Sequence, residues 1–397
     1  MRGTPATGGP PNRSKATPSR CEGRPPKGGP QKMHTNTRVF IVRTTSACNL
    51  ACSYCYMPEK GEARMPASLA ARLIDEAAGL TSAGQVFIWH GGEPLLMGRK
   101  FFETVIERQR AHGLDYVNAL QTNGYGLSDA MVDFFAENDF HLAVSLDIPA
   151  ARHDACRRGK AGQPTFERIV ANLDRLRRRG LPVAALAVVA DLDTPPEVYT
   201  AFIERHGLDS LALNLEFDLA LGSDTAAGRR YAALLAALYR HACDSPRPFA
   251  QREAGAVIEH LMGRPASLCW HAERFCGETH AAVTETGDVW LGCDKFIDSP
   301  FGFARLGNFT ETPLAELLEG PATTALNARL AHQRSACAGG CSIGSHCRGG
   351  CIHEALSIAA RGEARGEQIG CLARRSLFDT IAADFAPKGQ APCSRTA

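Results

Sequence analysis

The sequence predicts an α/β protein, a partial barrel of six strand–helix units followed by a cysteine-rich region. Three observations carry that expectation. From Arg38 onward, short β-rich apolar runs alternate with amphipathic helical stretches, the pattern of parallel strands joined by crossover helices. The unit recurs six times, short of the eight that close a barrel. Every candidate motif falls at or just after a strand end, where such folds carry their chemistry.

Taken in order, the first strand covers 39–43 and leads into Cys48, Cys52 and Cys55, with a helix at 67–80. The second, 86–89, runs into Gly91-Gly92-Glu93-Pro94 before a helix at 99–112. The third, 117–121, precedes Thr122-Asn123-Gly124 and a helix at 128–137. The fourth, 141–145, ends on Ser145-Leu146-Asp147 and is followed by a helix at 166–179. Strands at 183–189 and 211–215, with helices at 196–206 and 226–243, complete the barrel. The expected division is a disordered tail over 1–36, the barrel over 37–245, the cysteine-rich region over 246–385 and a second disordered tail over 386–397.

With 397 residues, 44% of them hydrophobic, the chain can build one large core or two domains. Its 44 basic and 42 acidic residues leave a formal charge of +2, which gives no bulk field for nucleic acid or an anionic membrane. The first stretch is rich in Gly, Pro, Ser, Thr and Arg and too poor in apolar residues to fold. Neither a signal-peptide core nor an apolar run near the ~20 residues that span a bilayer is present, so a cytoplasmic location is expected.

Fifteen cysteines without an export signal argue against disulfides and for metal ligation. Three lie between Cys48 and Cys55, eight between Cys269 and Cys371, and Cys21, Cys156, Cys243 and Cys393 stand apart, where free thiols are the default. The first group reads C-x3-C-x2-C in one loop. Three thiolates fall short of a closed zinc site but suit a four-iron cubane with one iron left open to an outside chelator. The eight later thiolates are enough for two complete four-ligand sets, for which zinc and iron–sulfur clusters are both suitable occupants.

The Cys48-Asn-Leu-Ala-Cys52-Ser-Tyr-Cys55-Tyr run, with the loops after the later strands, resembles the radical S-adenosylmethionine superfamily. The resemblance implies a 4Fe–4S cluster at Cys48, Cys52 and Cys55 that cleaves S-adenosylmethionine to a 5′-deoxyadenosyl radical, the protein positioning and shielding the reaction. It implies an aromatic residue, Tyr54, near the adenine or the cluster. Gly91, Gly92, Glu93 and Pro94 form the turn that meets the methionine amino group, Glu93 being available to the ammonium. Ser145 matches a hydroxyl near the ribose and Arg157 a basic residue for the methionine carboxylate, with Arg158 beside it as the alternative. Asn123 and Asp147 are polar residues near the expected cavity, and turn chemistry accounts for 122–124 almost as well.

The later cysteines resemble the SPASM extension of peptide-modifying radical enzymes. Carried over by position, Cys269, Cys276, Cys293 and Cys351 would bind one auxiliary 4Fe–4S cluster, and Cys337, Cys341, Cys347 and Cys371 the other, for three clusters in all. The sequence departs from the common pattern in the C-x3-C at Cys337 and Cys341 and in the five residues between Gly287 and Cys293. By resemblance to sulfatase maturases, Asp294 would accept the substrate proton, a role that requires burial near substrate. The family implies a maturase of ribosomally made precursor peptides. Trp89-His90-Gly91-Gly92-Glu93-Pro94, Gln121-Thr122-Asn123-Gly124 and Asn214-Leu215-Glu216 favour cyclophane-type cross-linking, formylglycine formation on a sulfatase being the alternative. A non-catalytic iron–sulfur or zinc scaffold is the alternative of another class. A reductant such as flavodoxin or ferredoxin is implied, and either the barrel rim or a second protein must hold the peptide leader.

Overall fold

A computed structural model describes residues 37–57, 60–80, 84–264, 268–269, 271–272 and 274–385. The two expected tails, with Cys21 and Cys393, lie outside the described residues. All six anticipated strands are present: β1 (Arg38–Thr45), β2 (Gln85–Gly91), β3 (Tyr116–Thr122), β4 (His141–Ser145), β5 (Ala184–Val189) and β6 (Ser210–Leu215). They pair in parallel in sequence order, the right geometry for crossover helices.

Those helices are α1 (Ala67–Ala78), α2 (Arg99–His112), α3 (Asp129–Glu137), a short α4 (Ala150–Cys156) that the sequence reading left out, α5 (Phe166–Arg178), α6 (Pro196–His206), α7 (Phe217–Leu221) and α8 (Thr225–Asp244). Their inner faces follow helical spacing. Ala70, Leu73, Ile74 and Ala77 of α1, and Phe166, Ile169, Val170, Leu173 and Leu176 of α5, are buried on the sheet. Side-chain caps fix the starts: Ser128 accepts the Met131 N–H, and Asp224 accepts those of Ala226 and Ala227. Gly113 (φ 63°) and Gly207 (φ 54°) end α2 and α6 in the left-handed region.

Along β4, β5 and β6 burial alternates. Leu142, Val144, Ala185, Ala187, Val189, Leu211 and Leu213 join the helices in one core. Their neighbours Ala143, Ser145, Leu186, Val188 and Asn214 are half-buried on the opposite face, which is therefore the face open to ligands.

Beyond residue 245 the sheet continues. β7 (Ala250–Gln251) pairs with β6, and β8 (His280–Val283) joins the far side of β1 in parallel. β9 (Asp288–Leu291) and β10 (Arg305–Asn308) extend that side antiparallel, giving the order β10-β9-β8-β1-β2-β3-β4-β5-β6-β7. The anticipated six strands are thus the larger part of a ten-stranded open sheet, and β1 is an interior strand. The remaining helices are α9 (Arg252–Leu261), α10 (Cys276–Thr279), α11 (Leu314–Glu319), α12 (Pro321–Gly339), α13 (Gly344–Cys347), α14 (Ile352–Ala360) and α15 (Ile369–Phe385).

α15 returns to the barrel. Its Ile369, Ala373, Leu377 and Ile381 belong to the main core, Leu372 Cδ1 sits 2.7 Å from where a Cβ on Gly228 would lie, and Tyr239 donates to Asp384 at 3.0 Å. A second, smaller core of Phe275, Leu291, Phe296, Phe301, Leu330 and Ile352 lies under the later cysteines. No helix among the described residues is long and apolar enough to cross a membrane.

Candidate active site

The loop after β1 carries the first three cysteines, and its neighbours on the rim hold it by backbone hydrogen bonds. Gly92 N–H donates to Thr45 O at 2.7 Å and Glu93 N–H to Ala47 O at 2.9 Å, so the turn after β2 lies directly on the residues before Cys48. That approach requires the two glycines. A Cβ on Gly92 would stand 2.1 Å from the Ala47 carbonyl oxygen, and Gly91, at φ 124°, would place one 2.5 Å from Thr45 O. On the other side Ala51 N–H donates to Arg158 O and Ser53 N–H to Cys156 O, at 2.8 and 2.9 Å.

Within this frame Cys48 and Cys52 both lie close enough to Cys55 to feel its charge. Burial pushes the Cys48 and Cys52 thiols up, while Arg157 and Lys60 pull Cys52 down. Cys48 Sγ also faces the Leu50 N–H at 3.5 Å and Asn123 Nδ2 at 3.8 Å. Convergent sulfurs with N–H donors and a cation beside them suit an anionic iron–sulfur cluster.

Glu93 is fully buried, and both its oxygens are taken. Oε1 accepts from Leu95 N–H at 3.0 Å and Thr122 Oγ1 at 2.7 Å, and Oε2 from Asn123 N–H at 2.7 Å. Burial raises its pKa to about 6 in spite of these donors. The carboxylate expected to meet an ammonium is therefore the brace between the second and third rim loops. Pro94 opens the 3-10 turn that Glu93 caps.

Asp147, also fully buried, is a hub that the sequence marked only as a polar neighbour. Its Oδ1 accepts Val188 N–H at 2.9 Å, and its Oδ2 takes the Tyr54 hydroxyl and Arg157 Nε, the latter at 3.2 Å. The Arg157 guanidinium lies over the Tyr54 ring at 5.3 Å. His153 orients the segment: its Nδ1 accepts Asp147 N–H at 3.2 Å and its Nε2 meets Thr165 Oγ1 at 3.1 Å, which in turn donates to Arg157 O. Burial, with Arg157 nearby, lowers the His153 pKa to about 4, which suits a neutral ring that accepts at Nδ1. Arg158 is exposed and its side chain donates to Gly162 O, so Arg157 is the arginine turned inward. Ser145 receives Gln121 Nε2 at 2.9 Å on the open face of the sheet.

Asp294 begins the 3-10 turn after Cys293 and crosses to the rim. Tyr56, next to Cys55, donates its hydroxyl to Asp294 Oδ2 at 2.5 Å and lies 3.1 Å from His90 Nδ1, itself 3.7 Å from Asp294 Oδ2. That His90 nitrogen accepts Gly91 N–H at 2.7 Å, and burial lowers its pKa. The sequence reading put Tyr56 beside the cysteines and His90 in the motif after β2. Neither position betrayed a shared carboxylate contributed 238 residues from Tyr56.

Comparisons with known proteins bear on the family and the fold. The Radical SAM superfamily model matches residues 42–199. The serine-type anaerobic sulfatase-maturating enzyme of Bacteroides thetaiotaomicron is 30% identical over 315 residues, 70% of this chain and 74% of its own. The chain belongs to the radical SAM superfamily. This radical SAM enzyme shares its fold with a native anSMEcpe structure holding AdoMet and a Cp18Cys peptide: TM-score 0.73, 22% identity, 88% of this chain and 97% of that one. Streptococcus suis SuiB bound to precursor peptide SuiA superposes at TM-score 0.55 with 14% identity, over 74% of this chain and 67% of its own.

In the radical SAM enzyme's C-terminal part, charge interactions link Cys269, Cys276, Cys293 and Cys351 into one group and Cys337, Cys347 and Cys371 into another. Burial pushes the Cys269 thiol up to about 11 and those of Cys276, Cys293, Cys351 and Cys347 up as well. Packing thiols together out of water suits a bound cation, which would hold them as thiolates. Among the described residues no three such side chains are grouped for a single metal ion, whereas a cubane spreads its four ligands over separate irons. Cys156 is free as anticipated. Cys243, expected free, is disulfide-bonded instead.

Proposed function

We propose that this peptide-modifying radical SAM enzyme abstracts a hydrogen atom from a substrate side chain held at the rim, with Asp294 receiving the proton released as that side chain is oxidised. The contact of Asp294 with Tyr56 and His90 carries the reading, because it puts a half-buried carboxylate beside the loop of Cys48, Cys52 and Cys55. Cys48, Cys52 and Cys55 would hold a 4Fe–4S cluster, which would supply the electron for reductive cleavage of S-adenosylmethionine.

The chain's own residues position the cofactor. Arg157, oriented by Asp147 and His153, would hold the methionine carboxylate. Ser145, fixed by Gln121, would meet the ribose. With both Glu93 oxygens committed, the ammonium falls to backbone carbonyls of the Gly91-Gly92-Glu93-Pro94 turn, and Tyr54 would flank the adenine or the cluster. Cys269, Cys276, Cys293 and Cys351 would hold one auxiliary cluster and Cys337, Cys341, Cys347 and Cys371 the other, completing three. A flavodoxin- or ferredoxin-type protein would deliver the electron.

Loss of a hydrogen atom, a proton and an electron is a two-electron oxidation, and two products fit it. Cyclophane-type cross-linking of a ribosomally made precursor peptide is favoured by the rim motifs at 89–94, 121–124 and 214–216. Formylglycine formation on a sulfatase is the second reading and has the stronger support among relatives, through the 30% identical Bacteroides enzyme. Co-expression with a short peptide encoded beside the gene, and separately with a sulfatase peptide, separates them. From a serine both products lose two hydrogens. A carbonyl-reactive aldehyde marks the one, and missing tandem-mass fragments inside a ring mark the other.

Asp294→Asn should still make 5′-deoxyadenosine while modified peptide falls by about 10²–10⁴-fold. Undiminished peptide modification in that variant would remove Asp294 from the mechanism.

A further inference from the structure

Three atoms converge on one point beside the later cysteines. A Cβ placed on Gly350, at φ 65°, would meet Arg374 Nη1 at 3.1 Å, Arg365 Nη2 at 3.3 Å and Cys347 Sγ at 3.6 Å. Two guanidinium groups and a cysteine sulfur therefore face one another across a gap that only glycine leaves open. Like charges held that close, and half-buried, call for anions beside them, a need that the Glu354 carboxylate meets for Arg374.

The two arginines reach this point from different directions. Arg374 stands on α15 three residues after Cys371, on the same side of the helix, and is anchored to Glu354 at 3.1 Å with both side chains largely buried. Arg365 lies in the loop before α15, and its Nε and Nη1 are buried with no hydrogen-bond partner among the described residues. Buried guanidinium donors rarely go unmatched. The guanidinium that carries them lies beside Cys347, whose thiol both arginines influence by charge, and Arg374 acts on Cys371 as well. The first set of cysteines has a more mixed setting. Lys295 is balanced there by Asp294 next to Cys293, Arg334 stands between the two sets, near Cys269 and Cys276 of one and Cys347 of the other, and Glu354, bound to Arg374, is shared with Lys295.

We propose that Arg365 and Arg374 form a guanidinium cradle for the 4Fe–4S cluster held by Cys337, Cys341, Cys347 and Cys371, donating N–H···S hydrogen bonds that raise its reduction potential above that of the other auxiliary cluster. The inference rests on the two-cluster reading above. Positive charge and hydrogen bonds to sulfur both favour the reduced, more negative state of such a cluster, so the arginines make this site the better one-electron acceptor. Reduction adds one electron to the oxidised cluster, taken from an added low-potential donor in the test and from the oxidised substrate radical in turnover.

The test is an electron paramagnetic resonance redox titration of the holoenzyme, with dithionite as donor. Cys347→Ala first identifies the signal of this cluster, and Cys276→Ala that of the other. Arg365→Gln should then lower the first midpoint by at least tenfold in the one-electron equilibrium, about 59 mV, leaving the second in place. Arg365→Lys should restore most of it. In protein grown with 15N-arginine, nitrogen hyperfine coupling to the first cluster should weaken in Arg365→Gln.

If Arg365→Gln loses that cluster outright while Arg365→Lys keeps it, the cradle is supported in another way. An unmoved midpoint with the cluster intact overturns the cradle but leaves the two-cluster reading standing. Full iron retention in Cys347→Ala overturns both.

Discussion

The two cysteine regions are built on opposite plans. Cys48, Cys52 and Cys55 occupy one short loop between neighbouring backbone segments, clamped by hydrogen bonds from Gly92, Glu93, Ala51 and Ser53. The eight later cysteines come from a strand end, several helices and connecting loops over more than a hundred residues, above a small apolar core. The first loop is held in shape by its own backbone contacts. The second gathers buried thiols and charged side chains that have little apolar surface to hold them together, so its order depends more on what it binds.

That contrast can be broken experimentally. The largest effect is expected at the first site, where replacing Cys48, Cys52 and Cys55 together by alanine should abolish 5′-deoxyadenosine formation. Melting temperature and the C-terminal iron should stay nearly unchanged, and cleavage at the wild-type rate would refute the assignment. Iron removal by a chelator under reducing conditions should act the other way. Hydrogen exchange should rise first in α12, α13 and α14, with β2 to β5 still protected, and uniform loss of protection would erase the distinction.

A smaller effect should follow from Gly92→Ala, which drives a methyl group into the Ala47 carbonyl. About 1–3 kcal/mol of stability should be lost in denaturant unfolding, along with S-adenosylmethionine affinity. Unchanged affinity would show that the first loop is less rigid than its clamps suggest.

The smallest concerns Glu93. Its folded pKa of about 6 lies above the ordinary 4.5, so the protonated acid is favoured in the folded state. Its contribution is fully present below pH 4.5 and is lost as pH rises through 6, about 2 kcal/mol in all. Glu93→Gln should flatten that part of the stability–pH curve, and an identical slope in the variant would place the titration elsewhere.

The same contrast governs what could be read from sequence. Strands β1 to β6 and their main helices were legible because each is an apolar run or helical repeat several residues long. β7 to β10 have two to four residues each, too few to display a period, and β8 finds its partner in β1 more than two hundred residues away. α4 follows Pro149 directly and was lost in the turn.

Spacing exposed the cysteines of both regions. Side-chain partners were another matter: Glu93 proved to be a brace, Asp147 a hub, and Tyr56 and His90 the neighbours of Asp294. Each of these depends on which loops meet on the rim. Only the order of the strands decides that.

The position of β8 beside β1 also bears on how the protein is made. The strand that leads into the first cysteine loop has β2 on one side, but its other edge waits for residues roughly 235 positions later, about 10–50 s at ribosomal speeds. Until then the nascent barrel shows an unpaired strand edge along the apolar Val39-Phe40-Ile41-Val42 run, the kind that recruits other chains. Translation rate and chaperone supply should therefore affect the yield of this enzyme.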